Sequence, residues 1–209
     1  VLGFAACQAP GTSTPPGADS DAVPPVSGER VDTLPPTADP APDIAPPAAG
    51  EGTSALPPLT PDGWGPLRVG MTLEEVTVAA GADANPAAVG GPDPERCDEF
   101  RPERAPEGML VMIERGRLTR ISLVRESAVE TAGGFGIGDS AEAIEAAAGT
   151  AATSEPHQYK PAPARYITIW RTAPPAADAR GIRYDVGSDG LVDLVHAGGP
   201  SIEYVEGCL

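Results

Sequence analysis

Apolar positions in this chain crowd into a few short runs after residue 60, and the spacing inside each run tells which element it builds. Between Gly70 and Gly81, Leu73, Val76 and Ala80 recur at the three-to-four-residue period of one helix face. Thr72 precedes them as an N-cap, Glu75 three residues later completes a capping box, and Gly81 supplies a C-terminal stop. This pattern predicts a short amphipathic helix. A similar phrase returns 68 residues later, with Gly138, Ser140, Ile144 and Gly149 standing where Gly70, Thr72, Val76 and Gly81 stood. The second copy lacks the capping-box glutamate, but Glu142 still favours the positive helix start.

After each helical phrase the period shortens. Met109–Glu114 and Leu118–Val124 flank the turn Arg115-Gly116 and predict one hairpin. Tyr166–Trp170 follows the second helix. Ile182–Val186 and Leu191–Val195 then flank Gly187-Ser188-Asp189-Gly190 and predict another hairpin. The expected fold is therefore α+β: two tandem helix-plus-antiparallel-sheet repeats, residues 61–128 and 129–209 with the C-terminal tail, packed into one head. One unit of about 65 residues has a marginal core, and two packed together bury more.

The first sixty residues differ. Proline pairs at 15–16, 24–25, 35–36, 46–47 and 57–58 interrupt a stretch rich in Ala, Asp and Gly. Few apolar residues are present to offset ordering entropy, so residues 8–60 are expected to form a disordered Pro/Ala-rich linker. Composition then excludes some functions. The net charge is −16, with Lys160 as the single lysine. Such a surface repels phosphate backbones, so a nucleic-acid partner is not expected. Aromatics make up 4% of the chain, leaving the core to aliphatic residues.

The segment Leu2-Gly3-Phe4-Ala5-Ala6-Cys7 is similar to the end of a bacterial lipoprotein signal peptide, with small residues just before the cysteine. On that resemblance residues 1–7 end a signal peptide and Cys7 is the lipidation site, giving a membrane contact through a lipid anchor. Localisation would be the cell envelope, at the periplasmic face of an outer membrane or the extracellular face of a cell membrane. Export leads to an oxidising compartment, where Cys97 and Cys208 are expected to form a disulfide closing about 110 residues; two unrelated thiols are the alternative.

Chemistry is sparse. No CxxC or HxxxH spacing supports zinc, and 185–190 lacks the spaced oxygens and closing glutamate of a calcium loop. The run 133–138 lacks the Lys-Ser/Thr of a phosphate loop, and no Gly-x-Ser-x-Gly elbow occurs. His157 reads as a surface-loop residue and His196 as a hydrogen-bonded edge residue. Glu74 and Glu75 read as solvated. Arg120 and Arg125 read as charge balance within an acidic protein, with an exposed sheet face open to contact as the alternative. No catalytic residue, metal or cofactor is expected.

The phrase Gly-Met-Thr-x-x-Glu-Val at 70–76, followed by a short helix, a glycine and a hairpin, resembles the opening of the SmpA/OmlA family. Its doubling resembles the tandem repeats of β-lactamase inhibitory protein-like chains. The head also resembles uncharacterised bacterial secreted or lipid-anchored proteins. The named families act by binding other proteins. The resemblance thus implies a non-catalytic envelope lipoprotein with an envelope protein as partner, acting as a binding or scaffold module. The alternative is a small-ligand module for cell-wall fragments, with Tyr159, Tyr166 and Trp170 lining a pocket between the repeats.

Overall fold

The computed structural model describes residues 56–209 apart from Val89 and Glu126. Cys7 and most of the expected linker lie outside the described residues. The chain is already held at Leu59, which is fully buried and bridges Thr131.

A two-stranded ribbon opens the fold, β1 (Gly63–Trp64) against β2 (Leu67–Arg68). Helix α1 (Leu73–Ala80) follows, capped as its sequence predicts. The Thr72 hydroxyl accepts from the Glu75 amide at 3.2 Å, and the Glu75 carboxylate accepts from the Thr72 amide at 2.7 Å. Those bonds hold the Glu75 carboxyl below its usual range. Val76 and Ala80 turn inward, whereas Leu73, expected on the same face, is exposed.

Three strands come next: β3 (Cys97–Phe100), β4 (Met109–Glu114) and β5 (Arg117–Leu123). Helix α2 (Ala141–Ala148) is capped by Ser140, and a 3-10 turn leads into four more strands. These are β6 (Ala152–Pro156), β7 (Arg165–Thr172), β8 (Arg180–Val186) and β9 (Val192–Gly198). A second 3-10 turn, Pro200–Glu203, begins the C-terminal tail.

The expected α+β head of two helix-plus-sheet repeats is corrected by the strand pairing. Among the described residues the fold is mostly β, with two α-helices of eight residues each. Its main sheet is a single antiparallel one of seven strands in the order β3-β4-β5-β9-β8-β7-β6. The hairpins do not close separate sheets, because β5 pairs directly with β9, Ile121 opposite Ala197 and Leu123 opposite Val195. The physical reason is that each hairpin ends on a strand with unpaired backbone groups and an apolar face, and joining them satisfies both. Gly198 permits the junction: with φ at +148°, it lies so near β5 that a Cβ would sit 2.2 Å from the Thr119 carbonyl oxygen. What the recurring phrase marks is two like helix caps, with Ser140 accepting from Ala143 as Thr72 accepts from Glu75.

One apolar cluster forms between the helices and the sheet. It takes Val76 from α1, Ile144 from α2, and Leu118, Ile121, Ile167 and Val195 from the strands. The core is largely aliphatic, in keeping with the scarcity of aromatics, with Phe100 and Tyr184 as its buried aromatic members.

Candidate functional site

Alternation along a strand sends neighbouring residues to opposite faces. Ile121 and Leu123 join the cluster under the helices, so Arg120 and Ser122 lie on the other face. By the same rule and the strand register, His196 of β9, Arg183 and Asp185 of β8, and Tyr166 of β7 share that face. The face is polar yet largely closed. Arg120 is 2% exposed, so it belongs neither to an open contact face, the alternative raised for it, nor to a solvated surface that balances charge.

The tail covers one end. Arg120 donates to the carbonyls of Ser201 and Tyr204, both at 3.1 Å, and to the Glu99 carboxylate of β3 at 2.7 Å. The Cys97–Cys208 disulfide forms and ties the last residues to β3 across a separation of 111 residues. The tail is therefore fixed at both ends of its path.

The β6–β7 loop covers the other end. His157 Nδ1 accepts from the amides of Tyr159 and Lys160, at 3.0 and 3.1 Å. In the neutral ring those two donors place the proton on Nε2, which lies 3.2 Å from Asp185 Oδ1. That oxygen has no protein hydrogen bond of good geometry, so the pair is a close electrostatic contact. Burial pushes the Asp185 carboxyl up, against the opposing pull of Lys160 and His157. The His157 ring stacks on Tyr166 at 4.7 Å, and the Arg183 guanidinium sits 3.8 Å from the centre of the same ring. His157 is thus a packed residue, with a side chain 5% exposed, and not the surface histidine its loop suggested.

His196 is not at an edge either. It stands mid-sheet, between Ser122 of β5 and Arg183 of β8, with Nδ1 2.9 Å from the Ser122 hydroxyl. Although part of the residue reaches solvent, desolvation and then the Arg120 and Arg183 guanidiniums push its pKa well down and keep the ring neutral. Ser122 is 1% exposed, so its hydroxyl is closed to a substrate. Among the described residues, no three His, Cys, Asp or Glu side chains gather as a metal site.

Where loop and tail meet, the surface opens into a groove of about 660 Å3. The Tyr159 hydroxyl contacts the Glu206 carboxylate across it, and that carboxylate raises the phenol's pKa. Tyr204, Val205 and Leu209 complete an exposed apolar lining, and Arg96 and Arg115 stand beside it.

The three expected ligand-binding aromatics do not share one cavity. Tyr159 lines the groove. Tyr166 is buried under His157 and Arg183. Trp170 packs over Gly181 and borders a separate cavity beside α2. Sequence reasoning missed Tyr204, Val205 and Leu209. Their signal was apolar residues flanking a cysteine that forms a long-range bond. It also missed Arg183 and Asp185, which the alternation with Ile182, Tyr184 and Val186 makes readable.

Comparison with protein-family models, curated proteins and solved structures finds no match to the chain.

Proposed function

We propose that the protein is a non-catalytic binding module of the cell envelope, anchored through a lipid on Cys7, that engages an envelope protein through the groove between tail and β6–β7 loop. The observation that carries this reading is the convergence of Tyr159 from the loop with Tyr204, Val205 and Leu209 from the tail on a single rim. Tyrosine and arginine with a few aliphatic residues are the side chains that dominate protein interfaces. The disulfide holds the tail in place before binding, which lowers the ordering cost of association. It also suits an exported protein. The likeness of Gly70–Gly81 to the SmpA/OmlA opening points the same way, since that family binds proteins. A groove of this volume is also within the range of small-molecule sites, and a cell-wall fragment is the second reading.

The test is a crosslinking pull-down of the acylated full chain from its own envelope. The Tyr159→Ala/Tyr204→Ala variant is expected to lose the captured protein while keeping its disulfide. Cys7→Ser is expected to leave the membrane fraction. Undiminished capture by the tyrosine variant would exclude the groove as the contact.

A further inference from the structure

A second cavity, of about 430 Å3, lies on the helix-covered face between α2 and the β7–β8 strands. Ile144 and Ala148 of α2, Ile169 of β7, Ile182 of β8 and Phe135 form apolar walls. The space exists because α2 is built from alanine on this side, at Ala147 and Ala148, where a larger residue would close it. Tyr184 also borders the cavity, but its hydroxyl already pairs with the Thr131 hydroxyl at 3.0 Å. The interior thus suits hydrocarbon.

The mouth has different chemistry. Arg171 borders it, half-exposed, with its guanidinium on the Asp62 carboxylate. Arg171, Arg180 and Arg68 all act on that one carboxylate and hold its pKa down, the hydrogen bond from Arg171 first. Asp178 is the other acid near Arg171. Arg171 is the charged residue that lines the cavity, and Arg180 and Arg68 stand close enough to Asp62 to share that carboxylate with it.

We propose that this cavity binds a single-chain anionic amphiphile, with the acyl chain laid between α2 and the sheet and the carboxylate at Arg171. Size agrees, since small-molecule sites of this kind are largely apolar with few polar groups at fixed points. Charge selects the source. An anionic bilayer meets the whole surface of a chain of net charge −16 and is repelled, whereas a dissolved monomer meets only the Arg171 guanidinium at the mouth.

The experiment is a titration of the full chain with dodecanoate below its micelle concentration, read by calorimetry and by the emission of Trp170 at the cavity's edge in a Trp64→Phe background. Saturable one-to-one binding is expected. Ala148→Leu fills the space and is expected to weaken binding at least tenfold, while Ala143→Leu, exposed on the same helix outside the cavity, leaves it unchanged. Arg171→Gln is expected to weaken dodecanoate about tenfold without altering the weaker uptake of dodecyltrimethylammonium. No saturable binding, equal affinity for the two amphiphiles, or indifference to both Ala148→Leu and Arg171→Gln would each overturn the proposal. So would binding to phosphatidylglycerol vesicles without binding to dodecanoate. Partner capture through the tyrosine-lined groove stays intact in Ala148→Leu, so the two sites fail independently.

Discussion

The two faces of the seven-stranded sheet are made by the same strands and held by different forces. Under the helices, Leu118, Ile121, Ile144, Ile167 and Val195 exclude water and need only shape. Under the tail and the β6–β7 loop, Arg120, Ser122, Arg183 and Asp185 are buried polar groups that need particular partners, with half-buried His196 between them. Hydrophobic burial is non-directional and tolerates small shifts. A buried guanidinium that loses its acceptors leaves a desolvation cost behind. The first face therefore supplies cohesion, and the second restrains where tail and loop can sit. That restraint is what builds the groove at their meeting point.

The largest expected effect breaks the helix face. Leu118→Ala deletes a fully buried side chain and is expected to cost about 4 kcal/mol. Urea denaturation should show one transition at a lower midpoint with an unchanged slope, since the cluster serves the whole sheet. A loss under 1 kcal/mol would mean that the cluster is not the common core.

Breaking the other face is expected to act more locally. Cys97→Ser with Cys208→Ser releases the tail and is expected to cost about 3 kcal/mol. Hydrogen exchange should then speed first at residues 199–209 and along β3, while the amides of α1 and β5 stay protected. Uniform acceleration would erase the distinction between the faces.

A smaller effect sharpens the contrast through pH. The His196 pKa is lowered in the fold, so the folded ring stays neutral while the unfolded chain takes up a proton below about pH 6.5. The stability this group contributes is present above that range and is lost as pH falls, by at most about 1.4 kcal/mol per pH unit. Acid sensitivity in that range should therefore decrease in His196→Gln, measured as unfolding midpoints from pH 7 to 5. Asp185 acts with the opposite sign: its raised pKa makes protonation at lower pH favour the fold, and Asp185→Asn removes that gain.

The smallest effect compares the two helices. Thr72→Ala removes both bonds of a capping box and is expected to cost about 1 kcal/mol. Ser140→Ala removes one bond and is expected to cost about half as much. Equal losses in thermal melts would show that Glu75 adds nothing to its cap.

Much of the local structure was legible, and the reasons are specific. Thr72 with Glu75, Ser140, and the turns at Arg115-Gly116 and 187–190 act within four residues, so their partners are visible in the sequence. Strand β3 was not legible, since Cys-Asp-Glu-Phe has little apolar pattern and exists by pairing with β4. Strand β6 is an exposed edge held only by β7, and its Ala-Thr-Ser-Glu-Pro reads as a loop. At the candidate site, Tyr159 was singled out by its residue type, but its neighbours Tyr204 and Glu206 are some 45 residues away in the chain.

By itself the sequence determined the helices with their caps, the hairpins, an aliphatic core and a cysteine pair suited to a long bridge, because each rests on residue type and short-range spacing. Only the tertiary structure decided that β5 joins β9 into one sheet, that Arg120, His157 and His196 are enclosed, and that loop and tail meet in a groove. Those outcomes depend on which distant backbone edges and side chains satisfy each other when packed, and local spacing carries no record of that choice.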